Sequence, residues 1–194
     1  MNRAAKPSLP PAYFDAIYAR DPDPWRLATS PYERAKYAAT IAALPRRHVS
    51  AMFEVGCSIG VLTRQLAAYC DWLLAVDVAD AALADARIRL ADLPHVAIHR
   101  MQVPEQWPDE TFDLILFSEV LYYLKPLDVA RTARLARASL RSGGAVLAVH
   151  YVLPTNYPCT ADEAMDVFAV SGGFKPRLQQ REPEYRLDLL ALSA

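Results

Sequence analysis

The chain has 194 residues, 53% of them apolar and 22% charged, with a formal net charge of −1. That length suits one compact domain, and the apolar share is ample for a sheet buried on both faces. A near-neutral balance without runs of like charge gives no electrostatic case for nucleic acid or a membrane surface as partner.

Residues 1–12 are rich in proline and read as loose; they lack the apolar stretch of a signal peptide. Tyr13, Phe14, Ile17 and Tyr18 then share one face at helical spacing. Asp21-Pro22-Asp23-Pro24 ends that helix, since proline removes a donor and clashes within a helix interior. Ser30, Pro31 and Glu33 form a helix-start signal, with Glu33 closing a capping box. Tyr37, Ile41 and Leu44 make the inward stripe, and Pro45 stops the helix.

From there strands and helices alternate, which predicts a parallel α/β sheet. Strands are expected near 51–55, 72–76, 95–100, 112–117 and 144–150, and helices near 61–70, 80–91 and 126–139. Thr160 and Glu163 predict a second capping box, opening a helix that runs to Gly172-Gly173. Arg186–Leu190 reads as a closing strand. Residues 1–45 read as an N-terminal helical cap on a single core of 46–194, and no apolar run approaches the roughly 20 residues of a membrane span. Cys57, Cys70 and Cys159 form an odd set without metal-ligand spacing, which predicts reduced thiols, a cytoplasmic location and no metal.

The most informative segment is Phe53-Glu54-Val55-Gly56-Cys57-Ser58-Ile59-Gly60, followed by Ala75-Val76-Asp77. It reads as strand, glycine turn, helix, strand and acid. A dinucleotide site wants G-x-G-x-x-G to receive a pyrophosphate, whereas Gly56 and Gly60 lie four apart with Ser58 between them. A ligand without phosphates fits better, and the layout suits the methionine end and ribose of S-adenosylmethionine. Gly56 lets the backbone approach such a ligand, and Asp77 is placed to accept from two ribose hydroxyls. Glu54 orients the turn or reaches the methionine amino group, and Cys57 is a small residue that fits there.

Ligands of open α/β sheets bind beyond the carboxyl ends of the strands. Those ends supply Gly56, Gly60, Asp77, Val78, Met101, Gln102 and Ser118 as candidate cofactor contacts, and Glu119 and His150 as candidate catalytic groups. Glu119 can assist deprotonation of an amine acceptor, or else cap the next turn; His150 titrates near neutrality, or else is only hydrogen-bonded structure. Tyr122, Tyr123 and Tyr151, with Trp25 and Tyr32 from the cap, can wall the acceptor side, and the same residues also suit core packing. Asp113 begins its strand on the far side and reads as structural.

Residues 50–150 resemble the class I S-adenosylmethionine-dependent methyltransferases. A narrower resemblance rests on Asp23-Pro24-Trp25-Arg26, Pro31-Tyr32-Glu33-Arg34, Glu54-Val55-Gly56-Cys57 and Ser118-Glu119-Val120-Leu121-Tyr122-Tyr123-Leu124, which look like the nodulation protein S family. The resemblance implies a Rossmann-like, mostly parallel seven-stranded sheet with helices on both faces. It also implies N-methylation of the free amine of a deacetylated chitooligosaccharide or other amino sugar; separately, a monomer or weak dimer is expected. Competing readings are a small-molecule O- or C-methyltransferase and a non-catalytic, S-adenosylmethionine-binding regulatory protein. One departure stands out: after the third strand the broader family often places an acid near the adenine amino group, and His99–Val103 has none. Gln102, or backbone groups at Met101 and Gln102, would have to serve instead.

Overall fold

The computed structural model describes residues 6–192, so the first five residues of the expected loose segment lie outside it. Seven strands, β1 (Val49–Val55), β2 (Cys70–Asp77), β3 (Val96–Arg100), β4 (Phe112–Ser118), β5 (Leu140–Tyr151), β6 (Phe174–Arg181) and β7 (Tyr185–Leu192), form one sheet in the order β3-β2-β1-β4-β5-β7-β6. The first five run parallel, and β7 is antiparallel to both β5 and β6. The order reverses between β1 and β4, and such a switch opens a crevice at the carboxyl ends of those strands.

Alternation along the central strands builds both faces. Phe53 and Val55 of β1 and Ile115 and Phe117 of β4 point into a core closed by α5 (Pro126–Ser139) and α6 (Ala161–Gly172). Met52, Leu114 and Leu116 point the other way, against Leu62 and Leu66 of α3 (Val61–Leu66) and Tyr37 of α2 (Pro31–Ala42). Burial on both faces explains why these strands read as continuous apolar runs. The helix α4 (Asp80–Arg89) sets Leu83 against Ala75, and α1 (Pro11–Tyr18) packs on α4 through Tyr18 and Ala82.

Several expectations are corrected. The helix expected at 61–70 ends at Leu66, passes through a 3-10 turn and gives way to β2 at Cys70. The strand expected at 144–150 begins earlier, at Leu140, so Gly143 and Gly144 lie within β5, where pairing with β4 slips between Phe112 and Leu114. β6 was not foreseen: only Phe174 is buried there, and an exposed edge strand needs no alternating pattern. The Thr160–Glu163 capping box is present in full. At α2, Ser30 accepts from the Glu33 amide at 3.4 Å, but the Glu33 carboxylate turns inward to Lys36. The buried face of α2 is therefore Glu33, Lys36, Tyr37 and Thr40, with Ile41 and Leu44 only half-buried. Among the described residues no helix is long and apolar enough to cross a membrane.

Candidate active site

A cavity of about 490 Å³ opens at the carboxyl ends of β1, β2 and β4 and is roofed by the N-terminal segment. Its floor is built by the turn after β1. Gly56 adopts φ +88°, and the amides of Gly56 and Cys57 both donate to the Val76 carbonyl, at 2.8 and 3.0 Å. The glycine is required for a reason nearer than the ligand. A Cβ here would lie 2.4 Å from Val120 Cγ2 and 2.7 Å from the Ser118 carbonyl oxygen.

Asp77 ends β2 and clasps two loops, accepting from the Ser58 amide at Oδ2 and the Ala79 amide at Oδ1, each at 3.0 Å. A carboxylate oxygen has two acceptor positions, so each keeps one for the cavity. Burial raises the Asp77 pKa, and the surrounding amides offset part of that rise. Such a pair of open acceptors matches a vicinal diol.

Glu54 is fully buried on the floor, and neither oxygen makes a hydrogen bond within the protein. Burial lifts its pKa to about 7, with the Thr63 hydroxyl close enough to offset part of the effect. A buried carboxyl without partners is costly unless something supplies donors, and an ammonium does so. The set of acceptors therefore fits S-adenosylmethionine: Glu54 for the amino group, Asp77 for the ribose.

Val78, Met101, Gln102, Ser118 and Cys57 line the same cavity, as expected. Of the backbone groups expected at the adenine end, the two amides are already engaged: Met101 donates to the Asp77 carbonyl, and Gln102 to the Gln106 side chain. An acid lies a little further along, since Glu105 also lines the cavity. Gly60 does not line it. It takes φ +77° at the start of α3, where its missing Cβ leaves room for Ala86 and Leu90.

Glu119 also lines the cavity, at φ +61° and with its carboxylate heavily engaged. Oε1 takes the Lys36 ammonium at 2.6 Å, and Oε2 takes the Tyr122 hydroxyl at 2.6 Å and the Tyr151 amide at 2.7 Å. The carboxylate is thereby fixed in place, which suits holding and orienting a donor. His150 is absent from the cavity wall. It is fully buried behind Tyr122, with Nε2 accepting from the Leu121 amide at 3.2 Å and its pKa pushed down to about 4 by burial. It holds the turn that carries the tyrosines, so its expected proton-transfer role is withdrawn.

The aromatic residues expected to wall the acceptor all line the cavity. Tyr122 stacks on Tyr157 at 5.4 Å, Tyr123 meets Tyr157 edge-on at 4.7 Å, and Phe14 meets Tyr123 at 5.0 Å. Tyr151, Tyr32 and Trp25 line the cavity too, Trp25 resting edge-on against Tyr18, whose hydroxyl bonds to Ser58. Sequence reasoning missed Lys36, Tyr157, Tyr18 and Phe14 as wall residues and read Glu33 only as a cap. A signal existed for two of them: an inward helical stripe containing Glu33 and Lys36 cannot be ordinary core. Asp113, read as structural, accepts from the Ala51 amide at 2.9 Å and Arg141 at 3.1 Å.

The sequence profile of the family described as Nodulation protein S (NodS) matches residues 17–146. Nodulation protein S of Sinorhizobium fredii is 35% identical over 112 residues, 57% of this chain and 52% of the relative. The chain thus spans about half the length of the curated relatives it matches. A solved structure from Pseudomonas syringae, whose methyltransferase assignment is provisional, is 39% identical, covers 81% of this chain and 97% of its own, and superposes with a TM-score of 0.72. The N-methyltransferase NodS from Bradyrhizobium japonicum WM9, solved with S-adenosylhomocysteine, is 24% identical, covers 92% and 96%, and gives a TM-score of 0.82, a likeness of fold.

Proposed function

The chain belongs to the nodulation protein S family, and on that premise we propose that it is an S-adenosylmethionine-dependent methyltransferase acting on an amino group of a small molecule. The acceptor class we assign is an amino sugar or deacetylated chitooligosaccharide. The observation that carries the reading is Glu54, a fully buried carboxyl whose oxygens make no hydrogen bond within the protein, in one cavity with Asp77. Together they offer an ammonium site and a diol site, the two polar features that S-adenosylmethionine presents besides its adenine.

When bound, that cofactor supplies a methyl group on a positively charged sulfur; the carbon–sulfur bond breaks with its electrons going to sulfur as the new nitrogen–carbon bond forms. The protein's contribution is mainly alignment, worth roughly 7–11 kcal/mol where two groups are held in attack geometry. Glu119 accepts a hydrogen from the acceptor nitrogen at its remaining Oε1 position and steadies the charge that develops there. Tyr122, Tyr123 and Tyr157 give a flat wall for a sugar ring and a face for a cation. The cap residues Phe14, Tyr18 and Trp25 limit water at the reacting centre. Three free, buried cysteines suit a cytoplasmic protein, and we assign a monomer or weak dimer.

The test is incubation with S-adenosylmethionine carrying a deuterated methyl group and a deacetylated chitooligosaccharide, read by mass spectrometry. The labelled methyl is expected on the free amine. Labelled hydroxyl positions, or no product from a protein that binds S-adenosylhomocysteine, would overturn the amine assignment.

A further inference from the structure

Two carboxylates share one buried lysine at the acceptor end of the cavity. Lys36 Nζ lies 3.0 Å from Glu33 Oε1 and 2.6 Å from Glu119 Oε1, and Lys36 and Glu33 are only 3% and 6% exposed. The count is uneven: two negative charges face one positive charge. The shorter contact pairs Lys36 with Glu119, whose other oxygen is held by Tyr122 and Tyr151. Glu33 is left in surplus. Its Oε2 is buried without a hydrogen-bond partner, and so is the hydroxyl of the neighbouring Tyr32. Both residues line the cavity.

A network that served stability alone has no use for this surplus, because an uncompensated buried charge is strongly unfavourable. Glu33 sits in the first turn of α2, where the helix N-terminus favours an anion, but that field gives Oε2 no donor. The Tyr37 hydroxyl lies close enough to favour the ionised form of Glu33 but gives Oε2 no hydrogen bond, so what is missing is one positive charge with hydrogens to donate. Lys36 sits 5.1 Å from the centre of the Tyr32 ring, so the ring already borders one cation.

We propose that Glu33, with Tyr32 and Glu119, forms the subsite that takes the methyl acceptor as an ammonium cation, and that Glu33 is the residue that selects a free amine over its acylated or anionic counterpart. The inference rests on the methyltransferase reading of the cavity. A primary ammonium brings three donors: one for Glu33 Oε2, one for the Tyr32 oxygen and one for the open position on Glu119 Oε1; passing the first of these to Glu33 as a proton frees the nitrogen lone pair for the methyl group. An N-acetylated sugar carries neither the charge nor the donors, and a carboxylate or phosphate would meet the surplus negative charge directly.

The experiment compares glucosamine with N-acetylglucosamine in calorimetric titrations of the protein saturated with S-adenosylhomocysteine. The free amine is expected to bind at least about tenfold tighter than the acetylated sugar, the least a charged hydrogen-bond partner contributes. Glu33→Gln is expected to erase that preference while leaving S-adenosylhomocysteine affinity unchanged, and Tyr32→Phe to weaken glucosamine alone. Glu33→Asp keeps the charge and is expected to keep the preference, which separates a lost charge from a folding defect. Equal binding of the two sugars, no binding of glucosamine to the loaded protein, or a preference that survives Glu33→Gln would overturn the proposal. Failure of the wild-type protein to bind S-adenosylhomocysteine at all would instead overturn the underlying reading, and this inference with it.

Discussion

Lys36 on α2 and Glu119 beyond β4 lie 83 positions apart in sequence and meet at 2.6 Å in the cavity wall. The contact joins the cap to the switch point of the sheet, so the roof of the cavity and the placement of Glu119 are set together. Lys36→Met removes the cation and leaves Glu33 and Glu119 facing each other without compensation. Breaking such a pair costs about 3 kcal/mol, the low end for buried pairs, because the Glu119 side chain keeps 23% exposure. Urea unfolding should show that loss, and the Lys36→Met/Glu33→Gln/Glu119→Gln triple variant should recover most of it.

Glu54 and His150 give opposite pH responses in nearly the same window. Glu54 rises from 4.5 to about 7 on folding, so its contribution to stability is complete below 4.5 and is lost as pH rises through 7. His150 falls from 6.5 to about 4, so its contribution is complete above 6.5 and is lost as pH falls toward 4. Each swing is worth about 3 kcal/mol across its window. Relative to wild type, Glu54→Gln should lose stability more steeply on acidification from pH 7 to 4.5, and His150→Gln should gain. Equilibrium unfolding at several pH values would reveal the two slopes; parallel curves would refute the assignment.

The same carboxyl ties cofactor binding to pH. Pairing with an ammonium requires Glu54 ionised, so binding of S-adenosylhomocysteine should release a proton at neutral pH. Affinity should fall by up to about tenfold per pH unit below 7 and level off above it. Calorimetry in buffers of different ionisation enthalpy measures the proton count, and Glu54→Gln should abolish it.

Gly56→Ala should destabilise the fold even without ligand. The new methyl group meets Val120 and the Ser118 carbonyl, and the backbone is held at φ +88°. A strained φ and overpacking each cost about 1–3 kcal/mol. Adding Val120→Ala should restore little, because the Ser118 contact is with backbone. Thermal unfolding of the single and double variants decides this.

How much was legible in the sequence follows from what kind of pattern each feature leaves. The central strands, both capped helices and the Glu54–Gly56–Asp77 unit are written in local patterns of period, cap and turn, and they stand where those patterns put them. The edge strand β6 left none, because only Phe174 needs burial. The Lys36–Glu119 contact joins segments distant in sequence, and spacing along a chain carries no record of such a meeting. His150 was misread for a related reason. A strand end looks like a site in one dimension, but the turn after β4 folds over this one and seals it behind Tyr122.

The central claim is that the cavity holds S-adenosylmethionine through Asp77 and Glu54. Asp77 also supports two backbone amides, so Asp77→Ala should cost about 1–3 kcal/mol of stability on its own account. The most direct measurement is calorimetric titration of the wild-type protein and Asp77→Ala with S-adenosylhomocysteine, below the variant's unfolding temperature. The account predicts single-site, saturable binding by the wild type and a loss of about 100-fold or more in the variant, the effect of removing two charge-assisted hydrogen bonds. Equal affinity in the two proteins, or no binding by the wild type, would contradict it.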